Sequence, residues 1–114
     1  AQPGPEVLTG STRLKAGTTT KLILNMISTI SMIRIGKIYK NYMVDVKMSN
    51  EKLITRGTNI VSAVTGCSRE IAKEAMAKSE GGVRTAIVMI LLKCQKAEAE
   101  AALKKVNGRI QNLV

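Results

Sequence analysis

The sequence predicts a mainly α protein, in which a leading loop and a long apolar helix precede a small helical bundle. Five segments place apolar residues at helical spacing. Glycines and capping residues separate these segments from one another. Hydrophobic residues make up 45% of the 114 positions, yet the chain has two Tyr and no Phe or Trp. We therefore expect an aliphatic core in a chain that is the size of one ordinary domain.

The first ten residues contain both prolines and two glycines, which predicts an extended lead-in that ends in a turn. Val7 and Leu8 are candidates for the last stub of a strand. The first helix is predicted from about Thr18 to Ile35, with Thr18 or Thr19 as its N-cap and Gly36 at its end.

The apolar stripe of this first helix is wide, so the helix is expected to be buried on more than one side. Its members are Leu22, Ile23, Leu24, Met26, Ile27, Ile30, Ile33 and Ile35. We expect the chain to self-associate through this helix as a two-fold dimer. The alternative is that the basic connection from Gly36 to Met48 folds back over the helix, using Tyr39, Tyr42, Met43, Val44 and Val46 as anchors.

Four further helices are predicted after this connection. The second follows the N-cap Asn50 and ends at Gly66, and the third follows the N-cap Ser68 and ends at the Gly81-Gly82 pair. The fourth runs from Val83 to about Cys94 and the fifth from about Lys96 to Val106. Asn107-Gly108 stops the fifth, and Arg109 to Leu113 are expected to add one turn.

The formal net charge is +10, and nine basic but only two acidic residues lie between Ser11 and Arg56. Such a surplus suits anionic ligands, either sugar phosphates or nucleic acid. Nucleic acid is disfavoured because the scarcity of aromatic residues removes stacking platforms. No apolar run approaches the length of a membrane span, and no signal-peptide pattern opens the chain. With two cysteines, we expect a cytoplasmic protein that contacts neither membrane nor nucleic acid.

Residues 4–21 have the composition of an anion-binding loop. Gly10 and Gly17 allow the backbone to approach a ligand closely, while serine and threonine hydroxyls and three basic side chains surround it. The loop leads directly into the first helix, whose N-terminus would add unpaired N–H groups and the positive end of its dipole. Phosphate is the anion that fits best. Neither a Walker loop nor a G-x-G-x-x-G fingerprint is present.

The same residues resemble the signature of the family that joins bacterial N-acetylmuramic acid 6-phosphate etherases to the glucokinase regulatory protein. The pattern is Gly-Pro-Glu, then Gly-Ser-Ser/Thr-Arg, an aliphatic residue, Lys, three small residues and a further Lys three positions on. Every position from Gly4 to Lys21 fits it. The resemblance continues through Gly36-Lys37, Met43-Val44-Asp45-Val46 and Thr65-Gly66-Cys67, and it is closer to the etherase branch.

The resemblance implies a C-terminal segment of a longer enzyme, a carbon–oxygen lyase. That enzyme cleaves the lactyl ether of its phosphosugar substrate to N-acetylglucosamine 6-phosphate and D-lactate in cell-wall sugar recycling. It implies that residues 1–48 are the remnant of a sugar isomerase domain and residues 49–114 a C-terminal helical bundle. It also implies glutamate acid–base catalysis without a metal or other cofactor. Because those glutamates would lie before residue 1, no catalytic residue is assigned here and the segment alone is expected to be inactive.

Six residues are predicted to contact the phosphosugar. Ser11 and Thr12 come first, because their hydroxyls and the nearby N–H groups suit a phosphate or sugar hydroxyls. The other candidates are Gly10, Arg13, Lys15 and Glu6. For Glu6, a structural role as acceptor of backbone N–H groups is favoured over a contact with a sugar hydroxyl.

Two alternatives follow from the same residues. The first is a non-catalytic, regulatory phosphosugar-binding module like the glucokinase regulatory branch. The second is a basic helical nucleic-acid binder, which we disfavour.

The segment from Thr65 to Leu91 also resembles the three-helix ubiquitin-associated module in architecture, without implying ubiquitin binding. Cys67 and Cys94 are not a metal pair, and without His no Ser–His or Cys–His pair can form.

Overall fold

A computed structural model describes residues 1–46 and 48–114. Within these residues, five α-helices and one small hairpin follow one another, so the predicted mainly α fold is confirmed with a small sheet added. The elements are α1 (Lys15–Arg34), β1 (Ile38–Tyr39), β2 (Tyr42–Met43), α2 (Glu51–Thr65), α3 (Arg69–Lys78), α4 (Val83–Leu92), α5 (Lys96–Lys105) and a 3₁₀ turn (Ile110–Asn112).

The chain divides into two compact units, Ala1–Met32 and Ile33–Val114. The contacts therefore group the hairpin with the helical bundle. The domain boundary at residue 48 that the family resemblance implies stays a prediction.

The first unit contains the leading segment and most of α1. Val7 and Leu8 lie in a bend rather than a strand. Helix α1 begins at Lys15, so Thr18 and Thr19 lie inside it and the prediction that either caps it is wrong. Seven of its apolar side chains are 40–58% exposed, and none of its residues is buried. The alternative in which the connection after Gly36 covers this helix is therefore also wrong.

The connection after α1 is a two-stranded antiparallel hairpin that the sequence did not predict. Ile38 pairs with Met43 and Tyr39 with Tyr42. Lys40 has a φ of 54°, which lets the chain reverse within two residues. Val44, which follows β2, is 1% exposed and anchors the hairpin in the core of the second unit.

Local signals set the ends of the bundle helices, as predicted. The Asn50 side chain accepts the N–H of Leu53, and the Ser68 side chain accepts the N–H of Ile71. Gly66 ends α2 with a φ of 73°, in the left-handed region that favours glycine. Gln95 and Glu98 form a capping box at the start of α5, a cap that was not predicted from the sequence.

The core of the second unit is aliphatic, as the composition predicts. It is formed by α2, α3, α4 and α5 together with Val44 and Ile110. Its buried side chains are Val44, Ile60, Val61, Val64, Ala72, Ala75, Met76, Val83, Ala86, Ile87, Val88, Met89, Ala99, Leu103 and Ile110. Ile71 of α3 is not part of this core and is 50% exposed. Among the described residues, no helix is long and apolar enough to cross a membrane.

Candidate functional site: the loop before the first helix

The loop before α1 is shaped by two glycines and a short turn. Gly4 and Gly10 have φ values of 79° and 82°, a backbone conformation that residues with a Cβ rarely adopt. The N–H of Ser11 donates to the carbonyl of Leu8 at 3.1 Å. The N–H of Arg13 donates to Ser11 Oγ at 3.4 Å. The chain therefore turns just before the helix, at the Ser11-Thr12-Arg13 sequence.

Glu6 binds the N-terminus of α1. Its Oε2 accepts the N–H of Lys15 at 2.8 Å, and its Oε1 accepts the N–H of Ala16 at 3.0 Å. A carboxylate is favourable there because the first N–H groups of a helix have no partner within it and carry the positive end of the dipole. The structure has Glu6 in the anchoring role that the sequence favoured.

This contact corrects one expectation about the loop. The helix N-terminus was expected to offer free N–H groups to a phosphate. For Lys15 and Ala16 that expectation is wrong, because the Glu6 carboxylate takes both groups. Any anion bound beside the loop in this conformation has to be held by side chains and by other backbone groups.

A shallow cavity of about 680 Å³, widely open to solvent, lies beside the start of α1. Pro3, Arg13, Leu14, Lys15, Thr18 and Thr19 line it. Two basic residues, two threonines and the aliphatic Leu14 thus line one open space. This combination can hold a phosphate through charge-assisted hydrogen bonds and the less polar part of a ligand through Leu14.

The structure divides the six predicted contact residues into two groups. Arg13 and Lys15 line the cavity. Gly10, Ser11, Thr12 and Glu6 do not line it, although Ser11 and Glu6 bond to the backbone around it. Whether any of the six contacts a phosphosugar stays a prediction.

Thr18 and Thr19 are cavity residues that the prediction left outside the contact set. The helical period could have found them. Residues three and four positions after Lys15 lie on the same helix face, which places both threonines beside that lysine. The prediction missed them because it started the helix at Thr18 and so treated these residues as its cap.

Both cysteines, Cys67 and Cys94, belong to the second unit. Cys94 packs against the core of the second unit, and burial raises the pKa of its thiol, with a further contribution from Glu98. Its chemistry is therefore that of a protonated side chain at neutral pH. No group of three or more potential metal ligands occurs in the described part of the chain.

Comparisons with known proteins agree with the fold and with the loop. A family model described as the C-terminal lid domain of glucokinase regulatory protein matches residues 40–85. This range covers the hairpin turn, α2, α3 and the start of α4. This part of the second unit is thus similar to a lid domain.

Close relatives match nearly the whole chain. An N-acetylmuramic acid 6-phosphate etherase of Francisella tularensis subsp. holarctica (strain LVS) is 57% identical over 112 residues, covering 98% of this chain and 38% of the relative. The protein of the same name from Bacillus cereus (strain AH187) is 56% identical over 110 residues, covering 96% and 37%. The chain belongs to the N-acetylmuramic acid 6-phosphate etherase family and corresponds to the C-terminal region of its members. It spans about 38% of the length of the curated relatives.

Proposed function

We propose that this chain acts as the C-terminal part of an N-acetylmuramic acid 6-phosphate etherase. The reaction would be cleavage of the lactyl ether of the phosphosugar to N-acetylglucosamine 6-phosphate and D-lactate. The observation that carries the proposal is the 57% identity over 98% of the chain to a protein of that name. The cytoplasm is the proposed location, as the recycling of cell-wall sugars requires.

The geometry of the loop supports a role in binding the phosphosugar. The cavity beside α1 has a volume of about 680 Å³, within the range of small-molecule sites. Arg13 and Lys15 supply positive charge, and Thr18 and Thr19 supply hydroxyls. We propose that these groups, together with Ser11 and Thr12, attract and orient the phosphorylated sugar.

The acid–base chemistry is proposed to lie in the longer protein rather than in this segment. Residues 1–48 would complete a sugar isomerase domain, and the helical bundle would act as its lid. Lactate would be eliminated from the ring-opened sugar before water adds, with glutamates of the preceding domain as acid and base. The exposed apolar face of α1 supports a further proposal, that the intact enzyme is a homodimer.

One observation favours a second candidate function. The lid model that matches residues 40–85 is named for a regulatory protein. The chain would then belong to a module that binds phosphosugars without cleaving them. Release of lactate separates the two candidates, since a regulatory module binds the sugar and leaves the ether intact.

The test is a lactate-release assay on the longer protein that contains these residues, given N-acetylmuramic acid 6-phosphate. The matched control substrate is N-acetylmuramic acid, which lacks only the phosphate. We expect lactate from the phosphorylated sugar and much less from the control. Tight binding without lactate would favour the regulatory module, and neither binding nor lactate would refute both candidates.

A further inference from the structure

A second open cavity, of about 390 Å³, lies between the start of α4 and the end of α5. These two helices pack against each other within the second unit. The cavity is lined by Arg84, Thr85, Glu100, Lys104, Asn107 and Gly108, together with Leu103. None of these residues lines the cavity beside α1. The second unit therefore has a polar cavity of its own, with a volume in the range of small-molecule sites.

The guanidinium of Arg84 is held in place by two acceptors of the same unit. Its Nη2 donates to Asp45 Oδ1 at 2.8 Å, and its Nη1 donates to the carbonyl of Gly36 at 3.4 Å. A guanidinium has five N–H donors in a rigid fork, so these two bonds leave three N–H groups for other acceptors. The Arg84 side chain is 31% exposed. Arg84 thus supplies the cavity with a pre-positioned cation.

Gly108 brings the backbone of the turn after α5 close to this guanidinium. The N–H of Gly108 donates to the carbonyl of Leu103 at 2.8 Å, and its φ of 75° closes the turn. A Cβ on Gly108 would lie 2.7 Å from Arg84 Nη1, which is too short for a side chain. Because position 108 has no side chain, Nη1 can lie against the turn that lines the cavity.

Three further side chains at the cavity have donors that no other described group uses. They belong to Thr85, Lys104 and Asn107. Within residues 1–46 and 48–114, the structure contains no ion pair of Lys104 and no side-chain hydrogen bond of the other two. A hydroxyl, an ammonium and an amide are all donors to oxyanions. The cavity therefore combines a fixed guanidinium with three free donor groups.

The charge at this cavity is positive. Asp45 is shared by two cations, since its Oδ2 also pairs with Lys37 Nζ at 3.0 Å. One carboxylate therefore does not neutralise both Lys37 and Arg84. Of the described residues that line the cavity, Glu100 alone is acidic, against Arg84 and Lys104. This balance favours an anion over a cation as the ligand.

We propose that this cavity binds the phosphate group of a small phosphorylated molecule that also carries hydroxyl groups. Arg84 and Lys104 bind the phosphate through charge-assisted hydrogen bonds, and Thr85 and Asn107 add neutral donors. Glu100 repels a phosphate placed beside it, whereas its carboxylate accepts hydroxyl groups of the rest of the ligand. All of these groups belong to the second unit, so the site is independent of the loop before α1 and of the proposed function.

The first experiment titrates the 114-residue chain with inorganic phosphate and follows the backbone amides by proton–nitrogen NMR. Sodium chloride at equal ionic strength is the matched control. We expect saturable shifts at Thr85, Asn107 and Gly108 with phosphate and not with chloride. Shifts at residues 10–19 report the cavity beside α1 and are fitted separately. Absence of saturable shifts at the three reporters would overturn the site.

The second experiment compares Lys104→Met with Lys105→Met. Both lysines are exposed and lie at the end of α5, but Lys105 does not line the cavity. We expect Lys104→Met to weaken phosphate binding about fivefold and Lys105→Met to leave it nearly unchanged. Equal weakening in the two variants would mean that the net charge of the chain attracts phosphate without a site, and would refute the cavity as its binding place.

The third experiment tests the part of the ligand that carries hydroxyl groups. Glycerol 3-phosphate should bind about threefold more tightly than inorganic phosphate, since Glu100 accepts its hydroxyl groups. Glu100→Gln should tighten the binding of inorganic phosphate and reduce this preference. Glycerol alone is the control and should not bind. Tighter binding of inorganic phosphate than of the ester to the wild type would overturn the assignment of the ligand. None of these measurements depends on the release of lactate.

Discussion

The carboxylate of Glu6 accepts the backbone N–H of Lys15 at 2.8 Å, so the leading segment itself supplies the anion at the N-terminus of α1. The same carboxylate accepts the N–H of Ala16. Glu6 thus orders the loop across nine residues of sequence. It also occupies the first N–H groups of the helix, so any anion bound beside the loop has to be held by side chains and by other backbone groups.

Replacement of Glu6 should therefore loosen the start of α1. We expect Glu6→Ala to cost about 1 kcal/mol of local stability, the usual value of an N-terminal cap. Glu6→Gln keeps one acceptor oxygen and should lose about half as much. Amide exchange at Lys15 and Ala16 measures the effect. Equal protection in all three proteins would show that the carboxylate does not hold the helix.

In the longer protein, Ser11→Ala or Thr12→Val should weaken phosphosugar binding without unfolding the protein. The loss of one hydrogen bond to a charged group typically costs about 1.5–3 kcal/mol, or about tenfold to a hundredfold in affinity. Titration calorimetry with the phosphosugar measures the affinity, and the melting temperature serves as the folding control. Unchanged affinity in both variants would mean that the loop is only structural.

The 114-residue chain by itself should release no lactate from N-acetylmuramic acid 6-phosphate. The reason is that no acid–base pair suited to the elimination is predicted within these residues, and the chain contains no His. The assay should include the longer protein as the positive control. Lactate released at a rate proportional to the concentration of the 114-residue chain would contradict the placement of the catalytic glutamates outside it.

The exposed face of α1 should cause self-association. Ile23 is 40% exposed and Ile27 58%, and an apolar surface of this kind favours a partner in water. Light scattering over a dilution series should report a dimer that the double variant Ile23→Lys with Ile27→Lys converts to a monomer. Ile54→Lys with Ile71→Lys adds the same charge at similarly exposed isoleucines of α2 and α3, and it should leave the dimer intact. A monomeric wild type at high concentration would refute the interface.

The ion pair between Glu80 and Lys96 should make the free energy of unfolding of the bundle depend on pH in the acid range. Lys96 Nζ lies 2.8 Å from Glu80 Oε1, and its hydrogen bond lowers the pKa of Glu80 below the ordinary 4.5. The Glu80 carboxylate therefore binds a proton less readily in the folded state than in the unfolded chain. The contribution of the pair is therefore complete above pH 4.5 and is lost as the pH falls through the lowered pKa.

The same pair acts in the opposite sense at high pH. Glu80 raises the pKa of Lys96 above 10.5, so this contribution is present below that pH and lost as the pH rises through the raised pKa. Urea midpoints measured across the acid range should fall less steeply in Glu80→Gln and in Lys96→Met than in the wild type. The double variant should resemble either single one. Parallel acid profiles for all four proteins would contradict a linkage through this pair.

Most helix ends of the second unit could be predicted, because the residues that define them lie close to those ends in the sequence. The Asn50 and Ser68 caps and the glycine at position 66 each act within a few residues of the helix end that they define. The loop composition also predicts an anion-binding region before α1. Arg13 and Lys15 line a cavity there, and anion binding by it stays a prediction. The start of α1 was misplaced because its cap, Glu6, is nine residues away from Lys15.

Periodicity, caps and motif spacing are properties of neighbouring residues, so they were enough to predict the mainly α fold, the aliphatic core, most helix ends and the family. The hairpin, the occupied N-terminus of α1 and the contacts of Arg84 and Arg109 could not be predicted in this way. Arg84 donates to Asp45 and to the carbonyl of Gly36, and Arg109 donates to the carbonyl of Arg34, over separations of 39, 48 and 75 positions. Contacts over such separations depend on how the helices pack, since only packing brings residues so far apart in the sequence into contact.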